Sequence, residues 1–394
     1  MLVGAAALVV TGTAAAHPQK PAYNRHRLGI AVTPKHFPSS SPQDVEEALT
    51  LAKAVGEHAV LIVQWRDANV HDIASVMRTY QRAGLHTILG LSPTTLDQQR
   101  GAIDAPPAVR QTARSPLSFG DPVVRGAFTE TARKMAELKP PYLCLATEIN
   151  LLAFANLQEY LLFASLYQET YREVKRISPK TKVFVSFQWD WFRVLDDREP
   201  EANKLAEHTK LIDVFRPLDV VAFTTYPSPL YQSPADLPPD YYTSMSRHLR
   251  PGDEILLMEV GWPTTGTGTE AEQAAYIQRL PDLLRGLDIS IMAWALLHDV
   301  KVPAFDANLN TVGLLDYDGN RKPGYDTFLD LGGNSGESLR MGCRKRERSG
   351  ILSLDAQSMS EMEGGGSVTG SGSADRLHQH CPKPQTARGG GQVG

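Results

Sequence analysis

Residues 142–150 read YLCLATEIN and residues 254–262 read EILLMEVGW. Both are short apolar runs. Neither alternates apolar with polar residues, as a strand with one wet face would, so both read as strands buried on two sides. Six more runs have the same character: LGIAVTP (28–34), HAVLIVQW (58–65), HTILGLSP (86–93), KVFVSFQW (182–189), DVVAFTTYP (219–227) and ISIMAWALL (289–297). Amphipathic stretches lie between them. SPQDVEEALTLAKAVG (41–56) opens on a Ser N-cap with Pro next and ends on Gly, and NVHDIASVMRTYQRAG (69–84) ends the same way. Thr269 with Glu272 fits a capping box ahead of a further helix. Eight buried strands alternating with helices over residues 27–332 predict an α/β fold, a single-domain (β/α)8 TIM barrel. A doubly wound open sheet is the competing fold. It often carries a glycine-rich phosphate turn after its first strand, whereas here that strand runs into TPKHFPSSSP, without glycine.

The ends of the chain differ from this core. Residues 1–16 are small and apolar and stop at an Ala-x-Ala-like site before His17, which reads as a signal peptide. No Lys or Arg precedes Lys20, so the usual basic start is missing. Residues 333–394, with GGGSVTGSGS and ARGGGQVG, lack apolar periodicity and read as a disordered low-complexity tail. The expected location is therefore secreted or periplasmic, with no membrane span and a monomeric state. A net charge of −4 gives no electrostatic case for nucleic acid. Three cysteines, Cys144, Cys343 and Cys381, support neither a disulfide framework nor a zinc site.

In a barrel of this type, chemistry gathers where strands end. The fourth run delivers Glu148 there and the seventh delivers Glu259. Runs three apart in an eight-membered ring face one another across the mouth. Two facing carboxyl groups suit glycoside hydrolysis, where one protonates the leaving oxygen and the other attacks the anomeric carbon. Four of the five tryptophans, Trp65, Trp189, Trp262 and Trp294, fall at or near run ends, and Trp191 follows just beyond. They read as flat platforms for sugar rings, against the plainer reading that large aromatics plug the barrel top.

At these residues the sequence resembles glycoside hydrolase clan A. LATEIN matches the clan's acid/base segment, and LMEVGWPT its nucleophile segment. The resemblance implies that Tyr226 in FTTYP hydrogen-bonds the nucleophile, that Trp294 in MAWALL lies under the catalytic sugar, and that Arg66 in QWRD contacts substrate. Within the clan, EVGWPTTG and VGLLDYDGNRKPGY look like family 17 β-1,3-glucanases, and ATEINLL looks closer to family 53 galactanases. The clan usually has Asn before the acid/base, where it bonds the sugar 2-hydroxyl. Here that residue is Thr147, with Asn150 as a substitute one turn later.

The expected activity is thus a retaining glycoside hydrolase acting on an oligo- or polysaccharide, without cofactor or metal. A non-catalytic carbohydrate-binding barrel and a transglycosylase using the same pair remain as alternatives. A metal hydrolase would need clustered His ligands, and His36 and His298 stand apart. A Schiff-base aldolase would need a Lys inside the barrel. Asp67, Asp190 and Asp299 read either as sugar contacts or as solvated loop carboxylates. The long segment 93–120, with Arg100, Arg110 and Arg114, is expected to wall a cleft or cap a pocket.

Overall fold

The computed structural model describes residues 27–97, 100–198 and 209–333. Its strands are β1 (Leu28–Ala31), β2 (His58–Gln64), β3 (His86–Ser92), β4 (Tyr142–Cys144), β5 (Lys182–Phe184), β6 (Ser186–Gln188), β7 (Val221–Thr225), β8 (Ile255–Val260) and β9 (Ile289–Trp294). All pair in parallel, in the order β5-β4-β3-β2-β1-β9-β8-β7-β6. The two ends of that order, β5 and β6, are separated in sequence by Val185 alone. The first half of this run pairs with β4 and the second with β7. The ring therefore closes through one chain segment that changes partner midway, and eight sequence runs make nine strands.

The helices between strands are α1 (Pro42–Val55), α2 (Val70–Arg82), α3 (Pro107–Thr112), α4 (Pro122–Glu137), α5 (Asn150–Ala155), α6 (Leu157–Ile177), α7 (Trp189–Arg198), α8 (Glu270–Leu283) and α9 (Pro323–Leu331). Their starts follow from local chemistry. Ser41 and Asp44 form a reciprocal capping box on α1, and the Thr269 hydroxyl accepts the Glu272 N–H at the start of α8. Gly56 ends α1 for a reason other than left-handed backbone. Its φ is −168°, and a Cβ there would lie 2.2 Å from the carbonyl oxygen of Leu28.

Successive strand residues point to opposite faces. One set fills the barrel interior: Val60, Ile88, Cys144, Phe184, Ala222, Leu256, Met258, Ile291 and Ala293. The other set packs between strands and helices in a larger core. Among the described residues, no helix is long and apolar enough to cross a membrane. The leader read over residues 1–16 and residues 334–394 of the tail lie outside the described residues.

Candidate active site

Strand phase decides what reaches the barrel mouth. Cys144 faces the interior, and Glu148 lies four residues on, past the end of the regular strand. At Glu148 the backbone turns left-handed, with φ 51°. The turn is held from the neighbouring strand: Glu148 N donates to Ser186 Oγ at 3.0 Å, and Ile149 N donates to the Ser186 carbonyl at 3.0 Å.

Glu259 reaches the mouth by an irregularity. Leu257 pairs with Phe223, and the next pairing is Glu259 with Thr224, so two residues of β8 stand against one step of β7. Met258 is the extra residue. This bulge resets the alternation and aims Glu259 to the same side as Met258, a use to which bulges near functional sites are often put.

The two glutamates are gathered by one strand. Thr224 Oγ1 donates to Glu148 Oε1 at 2.8 Å, and the Tyr226 hydroxyl donates to Glu259 Oε2. Residues two apart on a strand lie about 6–7 Å from each other and share a face. Arg100 completes the group, donating to Glu148 Oε2 from Nε at 3.2 Å and from Nη2 at 2.7 Å. Burial, and then the charge of Glu148, push the Glu259 carboxyl up to about 7, against the opposing pull of Tyr226 and Arg100. Burial and both carboxylates hold the Tyr226 phenol well above its ordinary value, so it remains a proton donor.

Asp190 supports Tyr226 from behind. Its carboxylate accepts Tyr226 N at 2.6 Å, Thr225 Oγ1 at 2.9 Å, Gln188 Nε2 at 2.7 Å and the Tyr241 hydroxyl. Burial pushes its pKa up despite these bonds. Gly261 leaves the space the phenol ring occupies, since a Cβ there would lie 2.6 Å from Tyr226 Cε1.

Several expected sugar contacts lie elsewhere. Trp65, Trp189, Trp262 and Trp294 are all fully buried. Trp65 Nε1 donates to Thr131 on α4, and its ring meets Phe128 edge-on. Trp189 Nε1 donates to the Tyr241 carbonyl and stacks near Phe192. Trp294 Nε1 donates to the Val312 carbonyl, and its ring packs on Phe328 of α9. Trp65, Trp189 and Trp294 belong to the larger outer core, so they bind helices to the sheet and present no face to the mouth. The platform role expected of Trp294, Trp189 and Trp65 is corrected accordingly.

Asn150 is likewise committed. Its amide donates to the Gln188 carbonyl and accepts Gln188 N, tying the β4 loop to β6. Both its amide atoms face Gln188, and Thr147 donates to Ser92 Oγ at 3.1 Å. Arg66 bonds Asp67 at 2.8 Å and lies 3.5 Å from Asp104, pinning the loop after β3 instead of meeting the glutamates. Asp299 is held by Lys322 at 2.6 Å, and burial pushes its carboxyl up to about 6. Asp67, Asp190 and Asp299 each bond other protein groups in this arrangement.

Two contributors, Thr224 and Arg100, had weak sequence signals. Thr224 is two residues before Tyr226, so strand alternation alone marks it. Arg100 is one of several arginines in a long loop. Trp191 is 42% exposed and stacks on Phe154, itself 46% exposed, at 5.4 Å between ring centres. Both sit on the helices that begin just past β4 and β6, the mouth side of the barrel. Among the described residues, no cluster of three His, Cys, Asp or Glu is placed to hold a metal.

No family model matches the chain, and no curated protein does. Solved structures do share its fold. An exo-β-1,4-mannosidase from Opitutaceae bacterium strain TAV5 superposes with TM-score 0.60 at 16% identity, over 78% of this chain and 59% of that enzyme. This chain therefore spans less than two thirds of the mannosidase's length. GH5_18 from Streptomyces cattleya, in complex with GlcNAc, gives TM-score 0.60 at 16% identity, covering 86% and 88% of the two chains. The GH53 catalytic domain of Ignisphaera aggregans gives TM-score 0.56 at 15% identity, covering 80% and 98%. At such identities the likeness is one of fold: the chain is a (β/α)8 barrel of the kind that clan A glycoside hydrolases use.

Proposed function

We propose that this barrel is a retaining glycoside hydrolase acting on β-linked glycans. Glu148 serves as acid and then base, and Glu259 as the nucleophile that forms a glycosyl–enzyme bond. The observation that carries the reading is the pairing of both carboxylates with β7 and its end, Thr224 holding Glu148 and Tyr226 holding Glu259. In the first step Glu259 attacks the anomeric carbon as Glu148 gives its proton to the leaving oxygen. In the second, Glu148 takes a proton from water, which attacks the same carbon and releases Glu259. Tyr226 steadies the negative charge on Glu259 and returns to it when the bond breaks. The fold shared with an exo-β-1,4-mannosidase and with a GH5_18 protein bound to Manβ1-4GlcNAc supports the substrate class. The exposed pair Phe154 and Trp191 supports an elongated substrate, since their faces offer the sugar platform that the buried tryptophans do not. The small apolar leader supports action outside the cytoplasm.

The test is covalent trapping. A 2-deoxy-2-fluoro β-glycoside with a good leaving group should label the protein, and peptide mapping should find the sugar on Glu259. Label on Glu148 would reverse the two roles. A native protein that cleaves no β-glycan, yet binds one through the same cleft after either Glu is replaced, would instead be a carbohydrate-binding barrel. Predominant sugar transfer at high acceptor concentration would make it a transglycosylase.

A further inference from the structure

Gln188 is the last residue of β6 and stands directly before α7. Its backbone N–H and carbonyl are both bonded to the Asn150 side chain, at 2.7 and 3.1 Å. Its side-chain Oε1 accepts Trp191 N at 2.8 Å. Asn150 is the first residue of α5, the helix that carries Phe154, and Trp191 is the third residue of α7. The starts of the two helices that bear the exposed aromatic pair are therefore fixed to one residue. The Phe154 and Trp191 rings stack with their planes 28° apart, so holding the two helix starts holds the platform.

The other end of the Gln188 amide leads to the nucleophile. Gln188 Nε2 donates to Asp190 Oδ2 at 2.7 Å, and the same oxygen accepts Tyr226 N at 2.6 Å. Asp190 Oδ1 accepts the Thr225 and Tyr241 hydroxyls, so four donors surround this buried carboxylate. Tyr226 in turn donates to Glu259. A line of bonded side chains, Gln188, Asp190 and Tyr226, thus connects the backbone of Trp191 to Glu259.

The residue type is informative. A side chain that accepts the N–H at the third position of a helix is an N-cap, and caps favour Ser, Thr, Asp or Asn over Gln. Capping needs only an oxygen. A Gln amide carries an oxygen and an NH2 group in one plane, and here the NH2 is spent on Asp190. Capping accounts for one half of the amide and leaves the other half unexplained. Residues that depart from a local preference are expected at functional positions.

We infer that Gln188 is a positioning residue that holds the Phe154–Trp191 platform in fixed register with the Tyr226–Glu259 pair. A sugar stacked at the rim and the sugar at the nucleophile are then held at a set spacing along one glycan. This deepens the glycosidase reading and rests on it. Spacing matters because misplacement of the reacting atoms by about 1 Å can cost roughly 10²-fold in rate.

The experiment follows the full chain by NMR, with 13C at the tyrosine ζ carbons and in the Phe and Trp rings. The Tyr226 signal is assigned by its loss in Tyr226→Phe. Two variants separate the two ends of the amide. Gln188→Met removes both bonds and keeps the length of the side chain. Gln188→Glu keeps an oxygen for Trp191 N, where the helix N-terminus favours an anion, and sets a carboxylate against Asp190 in place of the donor. In Gln188→Met the Overhauser contact between the Phe154 and Trp191 rings should be lost and the Tyr226 signal should shift. In Gln188→Glu the ring contact should persist while the Tyr226 signal shifts. A residue that only caps α7 would leave Tyr226 in place in both. An unmoved Tyr226 signal in both variants, or a ring contact that survives Gln188→Met, overturns the inference. If Gln188→Met does not fold, Gln188→Glu retains the cap and decides the matter by the Tyr226 signal alone. In turnover, Gln188→Glu should lower kcat about tenfold, as loss of a hydrogen bond to a charged group does, with KM for long oligosaccharides near native. Gln188→Met should raise that KM as well. Native kcat and KM in both variants would also overturn the inference. The NMR signals need no turnover, so failure of the trapping experiment and failure of this one are separate results.

Discussion

The Tyr226 hydroxyl and the Glu259 carboxylate are joined by a hydrogen bond that the rest of the site is built to preserve. Asp190 fixes the Tyr226 backbone, Gly261 leaves room for its ring, and the bulge at Met258 turns Glu259 to meet it. A hydrogen bond to a charged group is worth roughly 1.5–3 kcal/mol. Tyr226→Phe keeps the ring and removes the donor. It should lower kcat about 10- to 100-fold with little change in KM. Tyr226 pulls the Glu259 pKa down, so its loss should move the acidic limb of the kcat/KM profile to higher pH. An unaltered limb, measured on a substrate with a reactive leaving group, would remove Tyr226 from the mechanism.

Glu259 also makes a prediction about stability. Its ordinary value is 4.5, and in the folded protein it is pushed up to about 7. A carboxyl raised in the folded state binds a proton on folding between those two values. Stability from this group is then full below about pH 4.5 and is lost progressively as pH rises through 7. Glu259→Gln cannot ionise and escapes that loss. It should be more stable than the native protein at pH 8 by on the order of 3 kcal/mol, and nearly equal to it at pH 4.5. Thermal unfolding at the two pH values measures the difference. Equal stabilities at pH 8 would mean that Glu259 sits in a far more aqueous setting.

Much of this was legible before the structure. The eight apolar runs give the barrel, and Glu148 and Glu259 at the ends of the fourth and seventh runs arrive on one side of it. Position at a strand end does not place the tryptophans at the mouth, because strand phase decides which face each one meets. Glu148 itself lies past the end of β4, on left-handed backbone, so its orientation is set by the turn and not by alternation. Val63 lies in the outer core with Trp65, Phe187 with Trp189, and Met292 with Trp294. Counting by two along each run separates these tryptophans from the mouth. Glu259 is the reverse case. Its phase is the opposite of what counting from Met258 gives, and only the pairing with β7 exposes the bulge. Arg100 was beyond reach for another reason: it meets Glu148 across 48 residues through an irregular hairpin, and no periodicity specifies such a contact.

The corrected aromatic map separates two substitutions that sequence alone would treat alike. Trp191 is exposed at the mouth and Trp294 is sealed against α9. A nucleobase stacked on an aromatic side chain is worth ~1–3 kcal/mol; with the lower end of that range taken for a sugar ring, Trp191→Ala should raise KM about tenfold for long oligosaccharides. For a short aryl glycoside it should change little. Trp294→Phe removes a buried hydrogen bond and core volume, so it should lower the melting temperature while leaving KM near native. The opposite pattern, with KM following Trp294 and stability following Trp191, would restore the platform beneath the catalytic sugar.

Gly261 offers the most selective probe of the Tyr226–Glu259 bond, because it acts on that bond without contributing an atom to it. Its N–H bonds the Thr225 carbonyl at 3.0 Å, so the backbone is already pinned beside Tyr226. An added methyl group would lie 2.6 Å from Cε1 and 2.7 Å from Cδ1 of the ring, well inside contact distance. The ring must shift by several tenths of an ångström, and the hydroxyl at its far end moves with it. Gly261→Ala should therefore lower kcat nearly as far as Tyr226→Phe, while overpacking costs about 1–3 kcal/mol of stability. If both act through one bond their effects cannot add. The double variant should be no more than about threefold slower than Tyr226→Phe alone, whereas two independent lesions would multiply. Additive losses in that cycle would show that Gly261 serves another part of the site.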